Sequence, residues 1–238
     1  MSSSLFSPIR IGALEIAGRF AKSATIETLC DADGFVTDAL IAFYEGFAEA
    51  GTPLLITGSA YYSNDGRAMS RQMGLDHDDK IADLRRLTDA VHRHGSKIFA
   101  QPYHCGRQGI PRAVGRKEAL SASAVFEPTL MVKPRPMTVA EIRTTVREHA
   151  DAVARCREAG FDGVQMHAAH GYLINQFLTP HTNRRTDEYG GSFENRLRFL
   201  MEKYRAAPGM GSSGPWSARG RQASSPDTGA SRSRRSPP

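Results

Sequence analysis

Apolar positions along this chain repeat with a helical period, stop at a glycine, then resume as a short apolar run ending in a polar side chain. The stretches FAEAGTPLLITG, VHRHGSKIFAQ and CREAGFDGVQMH all follow this course. The glycine stands where a helix C-cap belongs, and the run after it is short enough for a buried strand. The preceding helices show apolar faces of Leu40, Phe43 and Phe47, then Ile81, Leu84, Leu87 and Val91, then Ile142, Val146 and Val153. Thr138 and Glu141 have capping-box spacing at the start of the third helix. RFAKSATI reads as an earlier strand, IRIGALEI as a small hairpin ahead of it, and SFENRLRFLMEKYRA as a last helix with Leu197, Leu200, Met201 and Tyr204 on one face.

Helices alternating with fully apolar strands predict βα units on a parallel sheet. About four such units fit the pattern, as at the start of a (β/α)8 barrel or a doubly wound sheet. The absence of GxGxxG after the first strand weighs against a dinucleotide-binding Rossmann domain. The expected fold class is therefore α/β: the N-terminal half of a TIM (β/α)8 barrel with an N-terminal β-hairpin, over residues 1–206. Residues 207–238 hold eight Ser, five Gly and five Pro with almost nothing apolar, and this composition predicts a disordered tail.

Charge changes this picture little. Of the net +6, the tail supplies +4 through five Arg against one Asp, so the body carries only +2. The tail also lacks interleaved aromatics or any fold for base readout, and no specific nucleic-acid partner is expected. No run approaches the roughly eighteen apolar residues of a membrane span, and MSSSLFSPIRIG lacks the regions of a signal peptide. The expectation is a soluble cytoplasmic protein. Cys30, Cys105 and Cys156 are too scattered for a disulfide framework, and Cys105 beside His104 is the one most open to a role beyond packing.

Barrel enzymes place their chemistry at the C-terminal ends of the strands, which here offer Ser23-Ala24-Thr25, Thr57-Gly58, Gln101 and His167. His167 and His170 follow a strand at a spacing of three, so both imidazoles can face one side of the turn and donate to an oxygen that gains negative charge. Tyr172 lies close enough to deliver a proton to a carbanion-like carbon. An oxygen clamp with a proton donor is what reduction of an activated alkene requires. Spacing alone favours two structural histidines, leaves a buried structural amide at Gln101 open as well, and offers no nearby carboxylate or cysteine to complete a metal set.

The stretch HAAHGYLINQFLTPHTNRRTDEYGGSFENRLRF closely resembles the signature of the old yellow enzyme family, the FMN-dependent NAD(P)H:flavin oxidoreductases and ene-reductases, which includes 2,4-dienoyl-CoA reductase-like members. The blocks LFSPIRIGALEIAGRF, PLLITGSAYY and KIFAQPYHCGRQG agree in order and spacing, so the resemblance covers about residues 5–204.

It implies that Ser23, Ala24 and Thr25 contact the flavin, Gly58 lies against its ring, and Gln101 bonds the pyrimidine edge. His167 and His170 would hold the substrate's electron-withdrawing oxygen, and Tyr172 would be the proton donor. FMN would be the cofactor and NADH or NADPH the reductant. Hydride would then pass from flavin N5 to a small-molecule enone, enoyl or quinone-type substrate. Ile26 and Thr28 stand where some members have a flavin-contacting Cys and a substrate-contacting Tyr, which makes Thr28 a candidate substrate contact with an altered preference. Arg184, Arg185, Asp187, Glu194 and Arg196 are expected to form ion pairs and caps that fix the loop, with its turn at Gly190-Gly191.

The family's barrel has eight βα units, and its flavin phosphate is held by loops after the seventh and eighth strands. The pattern here stops after about four units, and the Arg that the family places near the flavin after the fifth strand is missing with the rest. A frameshifted or truncated product is the expectation, with exposed barrel edges favouring self-association through a second copy. Two functions follow from this: an FMN oxidoreductase, or a catalytically inactive half-barrel fragment that does not retain FMN.

Overall fold

The structure is a computed structural model that describes residues 4–207 and 209. The expected tail thus lies almost wholly outside the described residues. Ile9–Ile11 (β1) and Leu14–Ile16 (β2) pair antiparallel, as the hairpin pattern predicted. Ala21–Lys22 (β3), helix Asp38–Glu49 (α1), strand Leu54–Tyr61 (β4), helix Ile81–His92 (α2) and strand Lys97–Tyr103 (β5) then alternate. Two short strands, Leu120–Ser121 (β6) and Arg135–Pro136 (β7), pair in parallel within the β5 connection, a detail the periodicity did not show. Helix Val139–Glu158 (α3), strand Gly163–Val164 (β8), helix Leu173–Leu178 (α4) and helix Phe193–Ala206 (α5) complete the order.

The main sheet runs β3-β4-β5-β8, and every neighbouring pair is parallel. Strands that follow chain order without reversal have no topological switch point, so the sheet is the wall of a barrel and its C-terminal ends share one rim. Alternation along β5 sends Ile98 and Ala100 toward the helices, where they join Leu40, Tyr44, Leu55, Leu84, Leu87 and Cys156 in one core. Phe99 and Gln101, out of phase by one, face the other side. A second core of Leu120, Ile142, Val146, Phe177, Tyr189 and Phe199 joins α3, α4 and α5. Among the described residues no helix is long and apolar enough to cross a membrane.

The capping box at Thr138 and Glu141 forms as predicted, and Arg135 grips the same carboxylate. Two helix faces differ from expectation. On α1 the core takes Leu40, Tyr44 and Ala48, while Phe43 and Phe47 turn to an open groove of about 620 Å3 beside β3. That strand has no ladder partner on its outer edge among the described residues, so the apolar sector of α1 is wider than the sheet beneath it. On α5 the buried residues are Phe199 and Lys203, whereas Leu197, Leu200 and Met201 are half-buried and Tyr204 is exposed.

Candidate active site

The sheet register sets the polar rim. Ser59 on β4 stands opposite Gln101 on β5, and its hydroxyl donates to Gln101 Oε1 at 2.9 Å. Gln101 Nε2 then donates to Gln165 Oε1 at 2.5 Å. This chain of bonds fixes which way the Gln101 amide faces. Gln165 was not singled out from the sequence, although it precedes His167 by two positions and strand alternation alone would have put both on one face. Its exposed side chain ends a polar row that runs from β4 across β5 to the residue just past β8.

Gly58 is fixed by its own chain. A Cβ there would lie 2.5 Å from the Thr25 carbonyl oxygen and 2.9 Å from Ile26 Cα, besides meeting the Glu27 carboxylate. The Gly58 amide donates to Glu27 Oε1 at 3.1 Å and to the Tyr44 hydroxyl at 2.9 Å, and that hydroxyl in turn bonds Glu27. The loop after β3, with exposed Ser23 and Thr25 and half-buried Ala24, is thereby held tight against β4. Glu27 and Tyr44, unremarked in the sequence, are what seat it. Thr28 in that loop has φ +52°, a left-handed conformation that a β-branched residue rarely adopts and that signals stored strain.

Beyond β8 the two histidines and the tyrosine come together. The ring centroids of His167 and Tyr172 are 4.7 Å apart, those of His167 and His170 5.2 Å, and those of Tyr103 and Tyr172 4.7 Å, all edge to face. Tyr103, the last residue of β5, is a wall of this cluster that spacing did not reveal. His167 is buried and its Nδ1 faces the Ala169 amide at 3.4 Å, which leaves the proton on Nε2. Burial, reinforced by the nearby His170, pushes the His167 pKa below the usual imidazole value, so the ring is a neutral donor at neutral pH. His170 is exposed with φ +56°, and burial raises the pKa of the half-buried Tyr172 so that its phenol stays protonated.

The residues after this cluster brace its loop, mostly through backbone carbonyls. Arg185 makes a double bond pair with Asp187 at 2.9 and 2.5 Å and also reaches the Ala122 and Met137 carbonyls. Arg184 and Arg196 donate to carbonyls, at His181 and Leu178, where ion pairs were expected. Cys105 is fully buried, and burial pushes its thiol up to about 11, which removes it as a nucleophile.

This arrangement of neutral donor, protonated phenol and polar amide row on one barrel rim coincides with the match of the NADH:flavin oxidoreductase / NADH oxidase family model over residues 4–207. The chain belongs to that family. As a member of this enzyme class it is 40% identical over 199 residues to a protein named NADH oxidase from Thermoanaerobacter brockii, covering 83% of this chain and 31% of that one. It is 40% identical over 203 residues to an NADPH dehydrogenase from Geobacillus sp., covering 85% of this chain and 58% of that one. The old yellow enzyme homologue from Zymomonas mobilis superposes with a TM-score of 0.81 at 31% identity, over 86% of this chain and 59% of that one. The chain thus spans less than two thirds of the length of these relatives, and what it matches is the N-terminal part of their barrel.

Proposed function

We propose that this chain carries the flavin-ring and substrate side of an FMN-dependent oxidoreductase that draws on NADH or NADPH to reduce an activated alkene of enone, enoyl or quinone type. The observation that carries this reading is the edge-to-face cluster of His167, His170 and Tyr172 on the same rim as the Ser59–Gln101–Gln165 row. FMN, when bound, supplies the ring that takes hydride from the nicotinamide and gives it to the β-carbon of the alkene. The residues present fit such a ring. Gln101 and Gln165 offer oriented amides to a heteroaromatic edge, and Gly58 keeps the loop after β3 close, although the exposed Ser23 and Thr25 of that loop line the groove on the Phe43 and Phe47 side of β3.

The side chains divide the remaining work. Neutral His167 donates from Nε2, and His170 beside it donates to the same substrate oxygen, so charge that gathers there is met by two aimed dipoles. Tyr172 gives its proton to the α-carbon, which completes addition of one hydride and one proton across the double bond. Thr28, in the strained loop after β3, is assigned as a substrate contact on the resemblance alone.

An anaerobic two-step experiment tests this reading. The FMN-loaded chain is titrated with NADH and NADPH, and cyclohex-2-enone is then added. The expected result is that the flavin band bleaches with the nucleotide and returns with the enone. A band that does not bleach, or that returns only with oxygen, would contradict it.

A further inference from the structure

We infer that Gln176 is a positioning residue that locks the His170–Tyr172 turn onto the loop after β5, and so sets where the clamp and the proton donor stand. This inference rests on the roles proposed for His170 and Tyr172. Gln176 lies on α4 and is fully buried, yet every polar valence of its amide is used. Nε2 donates to the Gly171 carbonyl at 2.6 Å and to the Cys105 carbonyl at 3.2 Å. Oε1 accepts from Ser121 Oγ at 2.9 Å and from the Arg107 amide at 3.3 Å. One side chain therefore ties together the turn after β8, the loop after β5, and β6.

The bond to Gly171 is the informative one, because that carbonyl sits between His170 and Tyr172. His170 holds a left-handed backbone that a non-glycine residue leaves unless its surroundings enforce it. Enforcement comes from both sides, since Asn175 Oδ1 accepts from the Gly171 amide at 3.1 Å while Gln176 holds the Gly171 carbonyl. On the β5 side, Gly106 has φ +59°, and a Cβ there would lie 2.5 Å from Gln176 Nε2, so the loop is shaped around the amide. The Leu173 amide, donating to the His104 carbonyl at 3.0 Å, adds a parallel tie between the same two loops. A buried apolar residue would fill this space without specifying a geometry, whereas a fully satisfied amide specifies one.

The test compares Gln176→Leu and Gln176→Glu in the full chain by NMR of the His170 and Tyr172 side chains, with melting temperature and remote amide resonances reporting the fold. In Gln176→Leu the Tyr172 ring resonances should move away from the values set by Tyr103 and His167, and those of His170 should broaden or shift, while remote resonances stay. In Gln176→Glu a carboxylate would face the Gly171 and Cys105 carbonyls, and only its protonated form can donate. The Tyr172 resonances should therefore return toward their native positions as pH falls, with a midpoint above the usual carboxylate range. In the FMN-loaded chain kcat for the alkene should fall about 100-fold in Gln176→Leu, with KM for the nucleotide unchanged.

Native ring resonances in folded Gln176→Leu would overturn the inference. So would the absence of a pH-dependent return in Gln176→Glu, which decides the matter alone if the leucine variant does not fold. The ring resonances require neither flavin nor turnover, so failure of the oxidoreductase reading would leave this test standing.

Discussion

Tyr172→Phe is expected to slow alkene reduction by about 10²- to 10⁴-fold while leaving reduction of the flavin by NADH or NADPH unchanged. The substitution removes only the hydroxyl. The ring contacts to Tyr103 and His167, both at 4.7 Å, survive, so position and fold are kept while the proton is lost. Because burial raises the pKa of Tyr172, the native phenol holds its proton throughout the neutral range, and the alkene step should not fall with pH until well above it. Separate stopped-flow measurement of the two half-reactions checks this. An unchanged alkene half-reaction would show that the proton comes from solvent or from another group.

Lys203→Met is expected to stabilise the protein by about 1–4 kcal/mol near neutral pH. Lys203 is fully buried on α5, with Nζ 2.5 Å from the Tyr62 hydroxyl and 4.2 and 4.7 Å from the Tyr62 and Phe199 ring centroids. Burial holds its pKa well below the usual lysine value, with Glu148 opposing only in part. His149, packed edge to face on Tyr62, is also buried and kept neutral, and neither of its ring nitrogens has a hydrogen-bond partner among the described residues.

The sign follows from linkage. Below the unfolded pKa the unfolded chain binds the Lys203 proton more readily than the folded chain does, so native stability declines as pH falls from that value toward the depressed folded one. Methionine keeps the length and the ring contacts and removes that penalty. Urea melts across the alkaline to neutral range should show a higher midpoint and a flatter pH dependence for the variant. A loss of stability would mean that the bond to Tyr62 outweighs the desolvation of the amine.

The barrel wall was legible because its information is local. Apolar runs, C-cap glycines and the Thr138–Glu141 box each specify their element without reference to distant residues, and all of them formed. The cluster of His167, His170 and Tyr172 was legible as a spacing, and its proposed role as a clamp rests on the resemblance to the family's signature. The supporting residues were not legible, because their roles depend on residues far away in the chain. Ser59 and Gln165 reach Gln101 across neighbouring strands. Glu27 is fixed by Tyr44 and Gly58, and Gln176 by residues that begin at Cys105. Lys203 was not legible for the same reason, since a lysine in an amphipathic helix reads as a solvated position unless the ring of Tyr62 opposite is known. The faces of α1 failed differently, because periodicity measures how wide an apolar sector is but not how much sheet lies beneath it.

The central claim is that the rim formed by β3, β4, β5 and β8 recognises the flavin ring with residues already in place. Titration of the purified 238-residue chain with FMN, followed by flavin fluorescence and the visible difference spectrum, tests it most directly, with Gln101→Leu as the comparison. The account predicts saturable quenching with a shifted, structured flavin band in the native chain, and binding weakened by about tenfold or more in Gln101→Leu through loss of an oriented hydrogen-bonding amide. FMN that stays fully fluorescent with its free-solution spectrum, or binding that Gln101→Leu does not alter, would contradict it.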